Sequence, residues 1–262
     1  MQNLPPEQVG DAPVASQSIN PVASARRDWL TAFQALRRLL RHNEDTVQVF
    51  RITRALNGDT WQRNYRRLIA TPEGGRLAYR RVELAGLLRD RAWIDSCPEG
   101  SVGAGYRAFL ERTGYSADGM VEISTAVDAY PLDLEHPYAW LRRRERDLHD
   151  IWHVLSGYQA NETLGEICLI AFSYAQTGGL GWGFIAAAGA LKSIRATGNT
   201  AFARAVWEAY RHGRSAAWLH GEDYEAVMHE QLDAARRRLR IAQPVRYVQA
   251  QARLAAAGRS GL

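Results

Sequence analysis

Four residues in one stretch have the types and spacing to hold a divalent cation. In HPYAWLRRRERDLHDIWHVLSGYQANETLGEICLIAF, His149 and His153 stand four residues apart, with Asp150 between them. On a helical wheel the two imidazoles lie about 40° apart and Asp150 about 60° beyond His153. All three share one face, so their donor atoms can converge on one ion. Glu166 follows after a break at Gly157. An antiparallel return would bring it opposite the two histidines. Two imidazoles with one or two carboxylates make a ligand set for zinc, or for non-haem iron if coordination positions stay open. Asp150 can bind the ion or orient a ligand histidine.

The same residues admit a plainer reading. Thr163 to Glu166 has the spacing of a capping box, in which Glu166 reaches back to a backbone N–H. The histidines would then belong to a satisfied polar cluster. His-Asp-x-x-His also resembles the His-Glu-x-x-His of zinc proteases, but Asp is one methylene shorter than the Glu that acts there as general base. A His-Asp phosphohydrolase would need further ligands, and nothing around His42 or His212 supplies a supporting pattern.

The elements that must position these residues read as helices. Pro137 suits a first turn and Gly157 the position just past a helix end, with Leu141, Leu148, Trp152 and Leu155 on one stripe between them. Asn161 or Thr163 can cap the next helix. Upstream, Leu30, Phe33, Leu36, Leu40, Val47, Phe50 and Leu56 recur in a helical pattern up to Gly58, and Leu77, Val82, Leu84, Leu87 and Leu88 continue it. Strand alternation and hairpin dipeptides are scarce. There is no internal repeat and no Gly/Ser linker. The expectation is an all-α, single-domain helical bundle, with the metal site or polar cluster between a central helix and the one that follows.

From Ile167 to Leu191 the chain carries no Asp, Glu, Lys or Arg. Gln176, Thr177 and the glycines between 178 and 183 interrupt that run, so two buried helices meeting at a break fit better than one membrane span. The small residues 186–190 allow close helix packing or an apolar cavity beside them.

Composition narrows the classes further. With 262 residues, 46% of them hydrophobic and 23% charged, the chain has ample material for a core and is neither disordered nor membrane-dominated. Its two cysteines, Cys97 and Cys168, provide no disulfide framework and no paired zinc ligands. The net charge of +5 hides an asymmetry: residues 26–91 hold 15 basic and 7 acidic side chains, the remainder 18 and 21. Lys192 is the one lysine; every other cation is arginine. An arginine-rich face suits a solvated surface or an anionic membrane. No nucleic-acid module accompanies it, so nucleic acid is not an expected partner. Residues 1–22 read as a disordered tail without the pattern of a secretory signal, which makes the cytoplasm the expected compartment. His136 reads as a turn or cap residue, and His212, His220 and His229 as surface-facing. Cys168 reads as a small core residue, and the RRRLR run at 236–240 as a solvated helix end.

These motifs are similar to those of the coenzyme Q (ubiquinone) biosynthesis protein 4 family. The resemblance rests on His149, Asp150, His153 and Gly157 followed by Leu164, Gly165 and Glu166, and on the segments 97–110 and 209–241. Its core would be a helical domain over 23–243, followed by a C-terminal extension over 244–262. The resemblance implies a metal centre formed by His149, Asp150, His153 and Glu166, which would also be the catalytic residues. Zinc is the first expectation and iron the alternative. It further implies an apolar channel for a prenyl lipid and oxidative decarboxylation at ring carbon 1 of a polyprenylated hydroxybenzoate. The alternative is a non-catalytic lipid-binding scaffold. The implied partners are a prenylated ubiquinone precursor, other ubiquinone-biosynthesis proteins, the inner face of a bacterial cell membrane and a possible second copy of the chain.

Overall fold

The computed structural model describes residues 26–42, 45–116 and 137–256. The expected tail over 1–22 and His136 lie outside them. The described residues form fourteen α-helices, one short 3-10 turn and no strand, as the periodicity predicts.

Helix α1 (Trp29–Leu39) starts where the Asp28 side chain accepts the Thr31 N–H at 3.0 Å. It packs on α2 (Thr46–Leu56). The buried face of α1 is Ala32, Ala35, Leu36 and Leu39, whereas Leu30 and Phe33 are 70% and 57% exposed. The expected stripe is thus rotated at its first turns. The period is the same, but the alanines let α2 approach closely, and the larger side chains fall outside that contact.

Helices α3 (Thr60–Ile69), α4 (Pro72–Arg80), α5 (Leu84–Arg89), α6 (Arg91–Asp95) and α7 (Val102–Thr113) lead to the central helix α8 (Pro137–Ser156). Leu141, Leu148, Ile151, Trp152 and Leu155 bury its apolar stripe. Full burial of each such side chain stabilises the fold by about 1.5–3 kcal/mol before chain entropy is counted. Gly157 ends α8 with φ of +80°, a left-handed conformation that suits glycine.

Helices α9 (Thr163–Thr177) and α10 (Leu180–Thr197) divide the uncharged run at Gly178, whose φ is +69°. The turn is held by Asn57, whose Oδ1 accepts the Gly181 N–H at 3.0 Å. A Cβ on Gly181 would lie 2.6 Å from Thr53 Cα, so α10 can approach α2 this closely only with glycine there. No helix among the described residues is long and apolar enough to cross a membrane.

Helix α11 (Ala201–Ser215) crosses α9 at Gly213, where a Cβ would sit 2.9 Å from Ala175 Cβ. The 3-10 turn Leu219–Gly221, α12 (Tyr224–Val227) and α13 (Leu232–Arg238) follow. The RRRLR run is more engaged than a solvated helix end. Arg236 donates to the Leu155 and Val154 carbonyls, both at 3.0 Å, and so satisfies the exposed end of α8. Arg238 bridges Glu222 and Glu230. The last helix, α14 (Val245–Ala256), packs on α11 and places Tyr247, Ala250 and Leu254 in the same core.

Candidate metal centre

The two histidines leave the inward face of α8 one turn apart, and α9 returns to meet them. His149 Nε2 lies 3.7 Å from Glu166 Oε2, and His153 Nε2 lies 3.4 Å from Glu166 Oε1. Ligand atoms of His149, His153 and Glu166 all lie within 4.8 Å of one another, a group that could hold a metal ion.

The hydrogen bonds decide which atoms face the centre. His153 is buried and stacks on Phe109 with ring centroids 5.8 Å apart. Its Nδ1 is 2.8 Å from the Tyr158 carbonyl. A carbonyl only accepts, so Nδ1 carries a hydrogen; in the neutral ring Nε2 therefore presents a lone pair, and in the protonated ring a second N–H. That Nε2 is buried and has no hydrogen-bond partner. A bare lone pair facing a carboxylate is an unfavourable arrangement that a cation between them relieves. The donor set therefore fits a divalent metal.

Asp150 takes a different position. Its Oδ1 faces His149 Nδ1 at 3.2 Å, the nitrogen opposite the one turned to Glu166. It stands where a residue orienting a ligand imidazole would stand. Burial by itself would lower the pKa of His149, but the Asp150 hydrogen bond and the Glu166 charge outweigh it and hold the imidazole above its ordinary value. Burial would raise Glu166, yet the facing His153 and His149 bring its carboxyl below the usual range.

Neither Asn161 nor Thr163 caps α9. Glu162 does, accepting the Gly165 N–H at 2.8 Å, while Glu166 turns to the histidines instead of closing a capping box. Tyr247 from α14 donates its hydroxyl hydrogen to Glu162 at 2.5 Å and accepts the Gln159 N–H at 3.0 Å. Gly165 explains how the chain returns so sharply. A Cβ there would collide with the Gln159 carbonyl oxygen and lie 2.7 Å from its nitrogen, because the loop from Gly157 folds over the first turn of α9.

Tyr158, Glu162 and Tyr247 were not legible as site residues. For Tyr158 a signal exists: a left-handed glycine directly after the helix turns the next carbonyl back toward the last turn. His220 departs from its expected surface place. It is wholly buried in the 3-10 turn, packed against Trp152 and Trp218. His212 is half-buried, its Nδ1 3.5 Å from the Tyr158 hydroxyl, and His229 is exposed against Trp93. Cys168 is a buried core residue whose thiol burial pushes up.

A cavity of about 820 Å³ adjoins the cluster. His149, Asp150 and Glu166 line one part of it, and Leu36, Leu40, Val49, Phe50, Ile167 and Ile185 another. Lys192 also lines it and donates to the Leu40 carbonyl at 2.7 Å. This size and mixture suit an elongated ligand with one polar end.

Residues 18–245 match the family described as coenzyme Q (ubiquinone) biosynthesis protein Coq4. The chain belongs to that family. The mitochondrial Coq4 homologue of Rattus norvegicus is 30% identical over 179 residues, covering 68% of this chain and 64% of the rat protein. The human homologue is 34% identical over 107 residues, 41% of this chain and 37% of its own length. The chain thus spans about two-thirds or less of these relatives. A crystal structure from Nostoc punctiforme, of a protein described as acting in ubiquinone biosynthesis, superposes with a TM-score of 0.60 at 22% identity. It covers 83% of this chain and all of that one, and shows the same helical fold.

Proposed function

We propose that this Coq4-family protein acts in ubiquinone biosynthesis by oxidative decarboxylation at ring carbon 1 of a polyprenylated hydroxybenzoate. The observation that carries the reading is the unpartnered His153 Nε2 opposite Glu166, beside a cavity whose lining is largely apolar. His149, His153 and Glu166 would hold the ion, with Asp150 orienting His149. A bound divalent cation, zinc or iron, supplies positive charge that draws the substrate carboxylate and steadies charge developing on the ring, iron adding redox capacity. The chain's own contribution is position. The Tyr158 carbonyl fixes one imidazole, Asp150 the other, and the Glu162 cap fixes the start of the helix bearing Glu166. The apolar wall receives the prenyl tail and keeps water from the reacting end. Replacing carboxyl by hydroxyl is a two-electron oxidation, so dioxygen and a two-electron donor enter as co-reactants: one oxygen atom becomes the ring hydroxyl, the other leaves as water, and the carboxyl leaves as carbon dioxide.

The route for such a lipid is the membrane. Trp29, Leu30 and Phe33 are exposed on α1, the helix that also lends Leu36 and Leu39 to the cavity, with Leu40 just past its end, in the arginine-rich part of the chain. An apolar and cationic surface at that place supports peripheral docking on an anionic inner leaflet, next to other ubiquinone-biosynthesis proteins. The same surface supports the second reading, a scaffold that presents the lipid without chemistry.

Elemental analysis with native mass spectrometry of the purified full-length chain tests the first reading. Stoichiometric metal with a retained prenyl lipid is expected, and His153→Ala should lose both metal and ubiquinone synthesis. Metal-free protein that still supports synthesis overturns the reading. A Glu166 variant that is folded and lipid-loaded but inactive excludes the scaffold.

A further inference from the structure

The cavity has a second polar feature, away from the ligand cluster. Glu145 lines it, with its side chain only 10% accessible. The indole N–H of Trp61 on α3 donates to Glu145 Oε2, and that of Trp182 on α10 donates to Oε1, both at 3.2 Å. Behind it lies wholly buried His220, with Nε2 3.8 Å from Glu145 Oε2 and neither ring nitrogen hydrogen-bonded. The guanidinium of Arg142 lies 4.7 Å from the centre of the Trp61 ring and backs that anchor.

Two indoles from two other helices therefore aim one carboxylate. A carboxylate offers about four acceptor sites and donates nothing when ionised, so each oxygen keeps capacity beyond its indole. Keeping such a group among aromatic rings is unfavourable unless donors complete its shell. Glu145 and His149 are four residues apart on α8, an axial rise of about 6 Å on the same face. One wall of the cavity thus presents the metal ligands and, one turn away, a fixed hydrogen-bond acceptor. That separation is of the order of the span between carboxylate and hydroxyl groups on opposite ends of a benzene ring. Trp61, Trp152 and Trp182 also line the cavity and give it flat apolar surface.

We infer that Glu145 is the specificity residue that receives the ring hydroxyl opposite the substrate carboxylate, so that a free phenol is taken and its methyl ether is refused. The inference rests on the proposed substrate class. A methyl ether has no hydrogen to give and places a methyl group against the carboxylate, leaving it unsatisfied.

Quenching of tryptophan fluorescence in the zinc-loaded, full-length protein reads binding directly. The probes are a short-chain 3-prenyl-4-hydroxybenzoate and its 4-methoxy counterpart. The wild type should prefer the phenol by about 10- to 100-fold, the range of a hydrogen bond to a charged group. In Glu145→Gln, whose amide oxygen still accepts but carries no charge, the preference should fall to a few-fold while the methoxy compound binds as before. Trp182→Phe, which removes one indole donor and keeps a ring, should reduce the preference part-way. Melting temperatures establish that each variant is folded. A folded Glu145→Gln with the wild-type preference overturns the inference; if that variant does not fold, an unchanged preference in Trp182→Phe overturns it. Equal binding of both probes by the wild type defeats the Glu145 assignment alone. Binding of neither probe defeats the substrate reading, and this inference with it.

Discussion

The Tyr158 carbonyl lies 2.8 Å from His153 Nδ1 and thereby fixes which nitrogen of that ring meets Glu166. A residue five positions along the chain, turned back by Gly157, sets the tautomer of a candidate ligand. Without that bond the ring could carry its hydrogen on Nε2 and satisfy Glu166 as an ordinary donor. With it, the neutral ring turns a lone pair to Glu166, so a proton or a metal ion must stand between the two.

His153→Ala removes a ligand and its packing on Phe109. Cation affinity should fall by about 100-fold or more, judged against the 10- to 100-fold typical of losing an outer-shell partner alone. The cavity should lower stability by about 2 kcal/mol or more. Competition with a chelating dye and chemical denaturation measure the two effects separately. Unchanged metal content would remove His153 from the ligand set.

Asp150→Asn keeps the shape of the side chain and weakens its hold on His149. An orienting role predicts a cation site that survives with affinity reduced about 10- to 100-fold. Complete loss of the ion, in a folded variant, would instead make Asp150 a ligand.

Two glycines on helices should respond in opposite ways to alanine. Gly165→Ala drives a methyl group into the Gln159 backbone and should cost about 1–3 kcal/mol or more, with the Glu166 position disturbed. Gly75→Ala, within α4 and with open space around its Cβ, should gain up to about 1 kcal/mol. Thermal melts of the two variants side by side test the close approach of the loop to α9.

The metal-free and metal-loaded proteins should differ in their pH dependence. His149 is held above its ordinary pKa, so its stabilisation is complete below its unfolded value and is lost as pH rises through the folded one. Glu166 is held below its own, so its stabilisation is present above its unfolded value and lost as pH falls through the folded one. Stability of the chelated protein should therefore peak in mild acid, where a charged His149 faces an ionised Glu166. Cation binding requires the imidazole to lose its proton, so affinity should rise toward neutral pH and be full above the raised value. Melting curves across pH, with and without chelator, test both signs.

Vesicle sedimentation tests the α1 surface. Replacing Trp29 and Phe33 by serine should weaken binding to anionic vesicles with only a modest fall in melting temperature, because both side chains are more than half exposed and each gives up one ring contact with Phe184. Undiminished vesicle binding would move the docking face elsewhere.

Much of the fold was legible because its determinants are local. Pro137 and Gly157 bound α8 through backbone preference, and Gly178 divides the uncharged run through its left-handed conformation. His149 and His153 share a face by helical period alone. What was hidden depends on residues distant in sequence. Glu162 became the cap because Tyr247, in the last helix, supplies its hydrogen bond. His220 went inside because Trp152 and Trp218 enclose it, which its charged neighbours in sequence concealed. The exposed Leu30 and Phe33 obey the right period on the wrong side, since only the partner helix decides which stripe is covered.

Lys192 gives the molecule an unusual chemical address. As the sole lysine in the chain, it offers amine-directed reagents one side-chain target, and that target lines the cavity with its nitrogen on the Leu40 carbonyl. A reporter attached there would sit where the apolar wall begins. Arrival of a lipid tail would then be visible at a single known atom, against a background of arginines that such reagents leave untouched.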